Sequence, residues 1–198
     1  MLKEIIESIK YSFEGKTING LNYKIRKTKT NNKKLIDIMA IVFKSGVSHT
    51  MQAQDSIAFN IQRTFGYDAK TKELFMLKLI KKTKENVYIF DIILYKPKFQ
   101  LKISELKKTS ITGKIYGLNK FYEVKYIDFS CPEKLISFMT EIYYSDKNFR
   151  EYDRYIILKF GKDIYGVDLK YRDLYKMDIL KENKDKLLIR IRKAMFLS

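Results

Sequence analysis

Apolar residues recur along this chain with two periods, and the first is helical. Leu2, Ile5, Ile6, Ile9 and Phe13 repeat every three to four positions and Gly15 follows, which predicts an amphipathic helix with a glycine stop. Its stripe must seat either on the protein's own core or on a second subunit. Leu21 to Thr28 then alternates, with Tyr23 and Ile25 on one face and Lys24 and Arg26 on the other, as in a half-buried strand. Ile36 to Phe43 is almost continuously apolar and reads as a strand buried on both faces. Ser48 to Phe65 fits both periods: Ile57, Ile61 and Phe65 step by four, while Ile57, Phe59 and Ile61 alternate. The expectation there is a helix. Glu73 to Lys82 and Val87 to Tyr95 read as two strands, and the polar run from Lys81 to Asn86 between them marks a hairpin.

Pro97 closes the preceding strand, and Phe99, Leu101 and Ile103 suggest another short one. Gly113 and Gly117 mark a loop before an extended stretch from Phe121 to Phe129. Ser130-Cys131-Pro132-Glu133 has the form of a helix start, with Ser130 and Glu133 closing a capping box and Pro132 in the first turn. Leu135, Ile136, Phe138, Met139, Ile142 and Tyr143 give that helix its buried face, and Cys131 reads as a small buried residue. Tyr155 to Phe160 and Ile164 to Lys170 flank Gly161-Lys162-Asp163, a hairpin signature. From Arg172 to Ser198 the expectation is a charged helical end, with Asp173 and Asp185 as caps and Leu187, Leu188, Ile191 and Met195 as its stripe. No internal repeat or linker is legible. The expectation is a single α+β domain over 1–198, a mainly antiparallel sheet with packed helices, and 150–198 as its one candidate appendage.

Charge changes this picture from fold to partner. Forty Lys and Arg against twenty-three Asp and Glu leave a formal net charge of +17 on 198 residues. Such self-repulsion points to an anionic partner, nucleic acid before membrane surface. Gly15 to Ile36 contains no acid but holds Lys16, Lys24, Arg26, Lys27, Lys29, Lys33 and Lys34. With Lys81, Lys82 and Lys84 of the hairpin and Arg190, Arg192 and Lys193 near the end, these are the expected phosphate contacts. A hydrophobic content of 45% excludes disorder. One cysteine gives no disulfide framework, and the lone histidine, His49, reads as a solvated loop residue rather than a metal ligand or general base. No signal peptide or membrane-spanning run is visible, so the expectation is a cytoplasmic protein without cofactor.

Catalytic motifs are nearly absent, and the balance leans away from an enzyme. The exception is Glu123-Val124-Lys125, which alternation would place on one strand face. With a second acid on a neighbouring strand, for which Asp91 is the candidate, such a pair holds Mg²⁺ and orients a water for phosphodiester cleavage. This arrangement resembles the core of the PD-(D/E)xK nucleases. Asp168-Leu169-Lys170 makes the same triplet elsewhere, which shows how readily it arises in a Lys-rich chain. A third reading is a phage- or plasmid-borne inhibitor whose basic face occupies the nucleic-acid channel of a host defence complex.

Four further segments carry a family likeness: Tyr23-Lys24-Ile25-Arg26-Lys27; Ile36 to Phe43 closing on Gly46-Val47; Leu94-Tyr95-Lys96-Pro97; and Tyr126-Ile127-Asp128-Phe129, followed by a helix ending near Ile142-Tyr143. Over about residues 20 to 145 the chain resembles basic plasmid-encoded partition or maintenance proteins of Borrelia-type spirochaetes. The resemblance implies a non-enzymatic, DNA-binding accessory of plasmid maintenance that works beside a ParA-like ATPase, with Lys3 and Lys10 as candidates for touching that ATPase. It transfers no catalytic residue. Two-fold DNA sites favour two-fold proteins, so a homodimer is expected, built on the first helix or on the carboxy-terminal stripe.

Overall fold

The alternation read between Leu21 and Thr28 is realised as a strand, Asn22–Thr28, in which Tyr23 and Ile25 are buried. A computed structural model describes residues 13–52, 55–99, 107–127 and 130–195. The chain divides between Lys96 and Pro97 into two compact units, where the sequence suggested one domain. The first unit runs β1 (Phe13–Lys16), β2 (Asn22–Thr28), α1 (Lys33–Ser45), β3 (His49–Gln52), β4 (Ser56–Asn60), β5 (Thr64–Asp68), β6 (Glu73–Lys82) and β7 (Val87–Leu94). Its sheet has the order β1-β2-β7-β6-β5-β4-β3, antiparallel except for the pair β2–β7. The helix lies on one face, where Leu35, Ile36, Met39 and Val42 pack with Tyr23, Ile25, Phe75, Leu77, Phe90 and Ile92.

Two expectations fail here for one reason, that an apolar run does not reveal its period when it is buried all round. Ile36 to Phe43 is not a strand but the body of α1, with Leu35, Ile36, Ile38, Met39, Ala40 and Val42 all buried. Its ends carry the real signals. The Asn32 side chain accepts the Leu35 amide at 3.1 Å, and Gly46, at φ +68°, returns its N–H to the Val42 carbonyl. The helix expected from Ser48 to Phe65 is instead the meander β3–β4–β5, whose middle strands are buried along almost their whole length. Of the predicted opening helix, Leu2, Ile5, Ile6 and Ile9 lie outside the described residues, as do Lys3 and Lys10, and Phe13 opens β1.

The second unit begins with β8 (Lys98–Phe99) and continues with β9 (Lys107–Lys114), β10 (Phe121–Ile127), α2 (Glu133–Tyr144), β11 (Phe149–Glu151), β12 (Tyr155–Phe160), β13 (Asp163–Asp168), β14 (Asp173–Glu182) and β15 (Lys186–Met195). Its sheet order is β11-β12-β13-β14-β15-β10-β9, with β10–β15 the parallel pair and β8 added against the end of β15. The predicted hairpin at Gly161 is present, and α2 starts where the sequence placed it. The capping box does not form: Pro132 is the N-cap with no side-chain bond, and Ser130 accepts a hydrogen bond from the Tyr175 hydroxyl at 2.8 Å. The expected carboxy-terminal helix is the β14–β15 hairpin. Leu187 and Ile191 are buried in the unit's own core, so that stripe is not a free dimer contact.

Apart from β8, the two units are the same fold written twice. Strand order, the single parallel pair and the helix position all coincide. So do two β-bulges, at Arg26 and Lys125 in the second strands and at Ile80 and Leu180 in the sixth. Gly15 faces the Tyr23 ring and Gly113 the Tyr122 ring on the adjacent strand. Gly66 and Gly166 sit beneath Leu35 and Met39 or Leu135 and Met139, close enough that a Cβ would stand 2.9 Å from either leucine. Asp68 and Asp168 each accept two turn amides, from Lys70 and Thr71 or from Lys170 and Tyr171.

Strands hold 55% of the described residues and helix 15%, which overturns the α+β expectation. The fold is β-rich, with two large mixed sheets and one helix in each unit. No helix among the described residues is long and apolar enough to cross a membrane.

Candidate nucleic-acid interface

Register brings the scattered basic residues of the first unit together. On the sheet face opposite α1, Lys24 of β2 is in register with Ile89 of β7, and Ile89 with Lys81 of β6. One ladder step on, Lys27 is in register with Asp91, and Asp91 with Lys78. Neighbouring strands stand about 4.8 Å apart, so the lysines of each row are separated by about 10 Å across β7. Lys27, Lys78 and Lys81 are exposed and Lys24 is half-buried.

A single arginine completes the group. Arg26 is the extra residue of the β2 bulge, and its guanidinium grips Asp91 with both arms, Nε to Oδ1 at 2.9 Å and Nη2 to Oδ2. That hydrogen-bonded pairing, reinforced by Lys27, holds the Asp91 carboxyl below the usual carboxylate range despite its burial. At the sheet edge Glu14 takes Lys24 at 3.0 Å. Four lysines and one arginine thus surround one carboxylate, with a second at the rim. Lys78 was missed in the sequence because it lies inside a strand rather than in a basic cluster. Its signal is the alternation of buried Leu77 with exposed Lys78.

The second unit serves as an internal control. Its equivalent rows read Glu123–Leu188–Lys181 and Tyr126–Arg190–Asp178. Lys24 and Lys78 are therefore replaced by acids, and these two rows carry no net charge, Glu123 and Asp178 balancing Lys181 and Arg190. Glu123 pairs with Lys186, while Asp178 binds Arg190 Nε at 3.0 Å, Arg192 Nε at 2.6 Å and Lys176 Nζ at 3.7 Å. Burial pushes the Asp178 carboxyl up, but the two guanidiniums outweigh it and hold it below the ordinary range. Arg190 and Arg192, expected as phosphate contacts, are therefore committed to Asp178, and Lys193 to Asp173 at 2.9 Å.

The remaining expected contacts are dispersed. Lys29 is exposed beyond the end of β2, and Lys33 and Lys34 are exposed in the first turn of α1, which contains no acid. Lys82 is in register with Tyr88, on the helix side, with its ammonium 5.2 Å from that ring. Lys84 is exposed in the hairpin turn.

The nuclease arrangement is not assembled. Asp91 belongs to the sheet of the first unit and Glu123 to that of the second. The strands flanking β10, namely β9 and β15, carry no acid at all. Lys125 is the bulge residue of β10, so the alternation that would have placed it beside Glu123 is broken there. Among the described residues no group of three His, Cys, Asp or Glu is placed to hold a metal ion. His49 lies in β3 rather than in a loop, with the Ser48 hydroxyl 3.0 Å from Nδ1. No protein-family model matches the chain, and neither a curated protein nor a solved structure matches it.

Proposed function

We propose that this protein binds nucleic acid without chemistry, through the helix-free face of its first sheet. The observation that carries the reading is the group Lys24, Lys27, Lys78 and Lys81, gathered by register on one face around the Arg26–Asp91 pair, where the equivalent rows of the second unit hold Glu123 and Asp178 in place of Lys24 and Lys78. A flat array of ammonium groups suits a phosphate backbone, and it carries no pattern of Arg, Asn or Gln for reading base edges in a groove. Through the spirochaete resemblance the proposal extends to DNA, to a cytoplasmic role in plasmid maintenance beside a ParA-like ATPase, and to a homodimer.

Salt dependence is the test. Each phosphate neutralised releases counterions, so log Kd against log salt should have a slope of about 0.9 per contact on duplex DNA. Replacing Lys24, Lys27, Lys78 and Lys81 together with Gln should flatten that slope by about 3.6. Replacing Lys181, Lys184 and Lys186 should flatten it by less than 1. Gel-shift titrations from 50 to 300 mM NaCl read both. Equal effects of the two sets would move the interface away from this face, and an absence of salt-sensitive binding to DNA or RNA would end the reading.

A further inference from the structure

The second unit has a cleft beside its helix. It is open, about 240 Å³, and lies between the β9–β10 turn, the carboxy-terminal end of α2, and β11. Tyr116, Leu118 and Tyr144 supply apolar walls, and Glu141, Ser145 and Arg150 the polar groups. Tyr116 is 83% exposed and makes no hydrogen bond or ring contact among the described residues. Tyr144 is fixed, its hydroxyl donating to Glu182 at 2.8 Å and Lys120 Nζ standing 4.7 Å from its ring. The Glu141 carboxylate and the Arg150 guanidinium stand 3.7 Å apart, a loose single contact that leaves the other donors of the arginine uncommitted.

The fold does not need these groups. In the first unit the equivalent positions are Ile18 in the turn, Ile41 and Lys44 on α1, and Thr50 on β3, and the same helix, sheet and core form around them. A partly buried carboxylate, a guanidinium and two phenol rings in one cleft therefore call for a ligand explanation. The walls suit a flat heteroaromatic ring. The pair offers two acceptors beside several donors, which complements the edge of guanine: N1–H and the N2 amine toward Glu141, O6 and N7 toward Arg150. Adenine offers only one exocyclic amine and an acceptor at N1, and thymine a single N–H donor.

We propose that this cleft takes an unpaired guanine base of a single-stranded nucleic acid, stacked on Tyr116 and read by Glu141 and Arg150. The proposal rests on the nucleic-acid reading above but uses a different unit and different residues, so the two can fail separately. An exposed ring such as Tyr116 supplies stacking to any base, while the carboxylate selects.

The test measures the full-length protein by fluorescence anisotropy with labelled oligothymidylate carrying one central guanine, inosine, adenine or thymine. The guanine strand should bind about ten-fold tighter than the thymine or adenine strands, as one bidentate pair warrants. Inosine, which lacks the N2 amine, should fall between. Glu141→Gln should abolish the guanine preference, bringing the guanine strand to the affinity of the thymine strand. Tyr116→Ala should weaken all single strands several-fold. Since Ile41 and Ile18 occupy these positions in the first unit, both variants should keep the wild-type melting temperature, which circular dichroism checks. Equal affinity for all four strands with a normal salt slope overturns the proposal and leaves the nucleic-acid reading standing. No binding to any strand or duplex overturns both. Free GMP binding as tightly as the guanine strand would overturn the assignment to a strand and give the cleft to a mononucleotide.

Discussion

Asp91 and Asp178 solve the same local problem with opposite placements. Each lies on the helix-free face of its sheet, but the acid is on the seventh strand in one unit and on the sixth in the other. Asp178 is ringed by Arg190, Arg192 and Lys176, all partly buried, and since Lys176 keeps Asp163 at 3.0 Å, removing the Asp178 charge leaves the two guanidiniums facing each other without their acid. Asp178→Asn should destabilise the protein by about 3 kcal/mol, the lower end of the range for breaking a buried pair because the site keeps some contact with water. Both acids also bind protons less readily in the folded than in the unfolded chain. Their contribution is complete above the ordinary carboxylate pKa near ~3.9 and is lost as pH falls through the depressed folded values. Stability should therefore drop on acidification below about pH 4. Asp178→Asn, already without its share, should show a shallower acid limb when urea midpoints are compared at pH 6 and pH 3.

At the scale of elements, what the sequence revealed depended on whether an element has a wet side. The β6–β7 and β12–β13 hairpins were legible because polar links bound them, and in β6 the exposed Lys78, Lys81 and Lys82 interrupt the apolar positions. Helix α2 was legible from Pro132, even though the capping box around it is not made. Helix α1 was not, since residues on almost every side of it are buried and only Asn32 and Gly46 mark its ends. The carboxy-terminal hairpin was misread because Leu187, Leu188 and Ile191 mimic helical spacing while pairing as a strand. The lysine face was half legible. Lys24, Arg26, Lys27 and Lys81 stood out as basic, but only strand order shows that β7 lies between β2 and β6. The helix–sheet contact has its own test. Gly66 and Gly166 let the helices approach the fifth strand of each sheet, and a Cβ at Gly66 would stand 2.7 Å from Met39 Cγ and at Gly166 2.7 Å from Met139 Sδ. Gly66→Ala and Gly166→Ala should each cost about 1–3 kcal/mol through overpacking, read as a fall in denaturant midpoint with unchanged slope.

At the scale of the whole molecule, the duplication escaped the sequence because its offset drifts. Lys34-Leu35-Ile36 and Lys134-Leu135-Ile136 are 100 apart, as are Gly66 and Gly166, Asp68 and Asp168, and Leu74 and Leu174. Tyr23 and Tyr122 are 99 apart and Gly15 and Gly113 are 98 apart, so one-residue shifts in the turns break the match into short pieces. What the two copies do share broadly is charge. Residues 1–96 hold eighteen Lys and Arg against nine acids, and residues 97–198 hold twenty-two against fourteen. The excess is therefore not a basic arm but a property of both units, and it opposes compaction everywhere at once. Screening this repulsion should stabilise the fold, while the same ions compete with the protein for phosphate. Raising NaCl from 20 to 200 mM should lift the melting temperature by about 2–4 °C, corresponding to about 1 kcal/mol for a chain of this size. Over the same interval DNA affinity should fall by orders of magnitude. Differential scanning fluorimetry and anisotropy on one salt series would show the opposite signs. A melting temperature that falls with salt would mean that the ion pairs around Asp91 and Asp178 outweigh the repulsion, and that the excess charge is no burden on the fold.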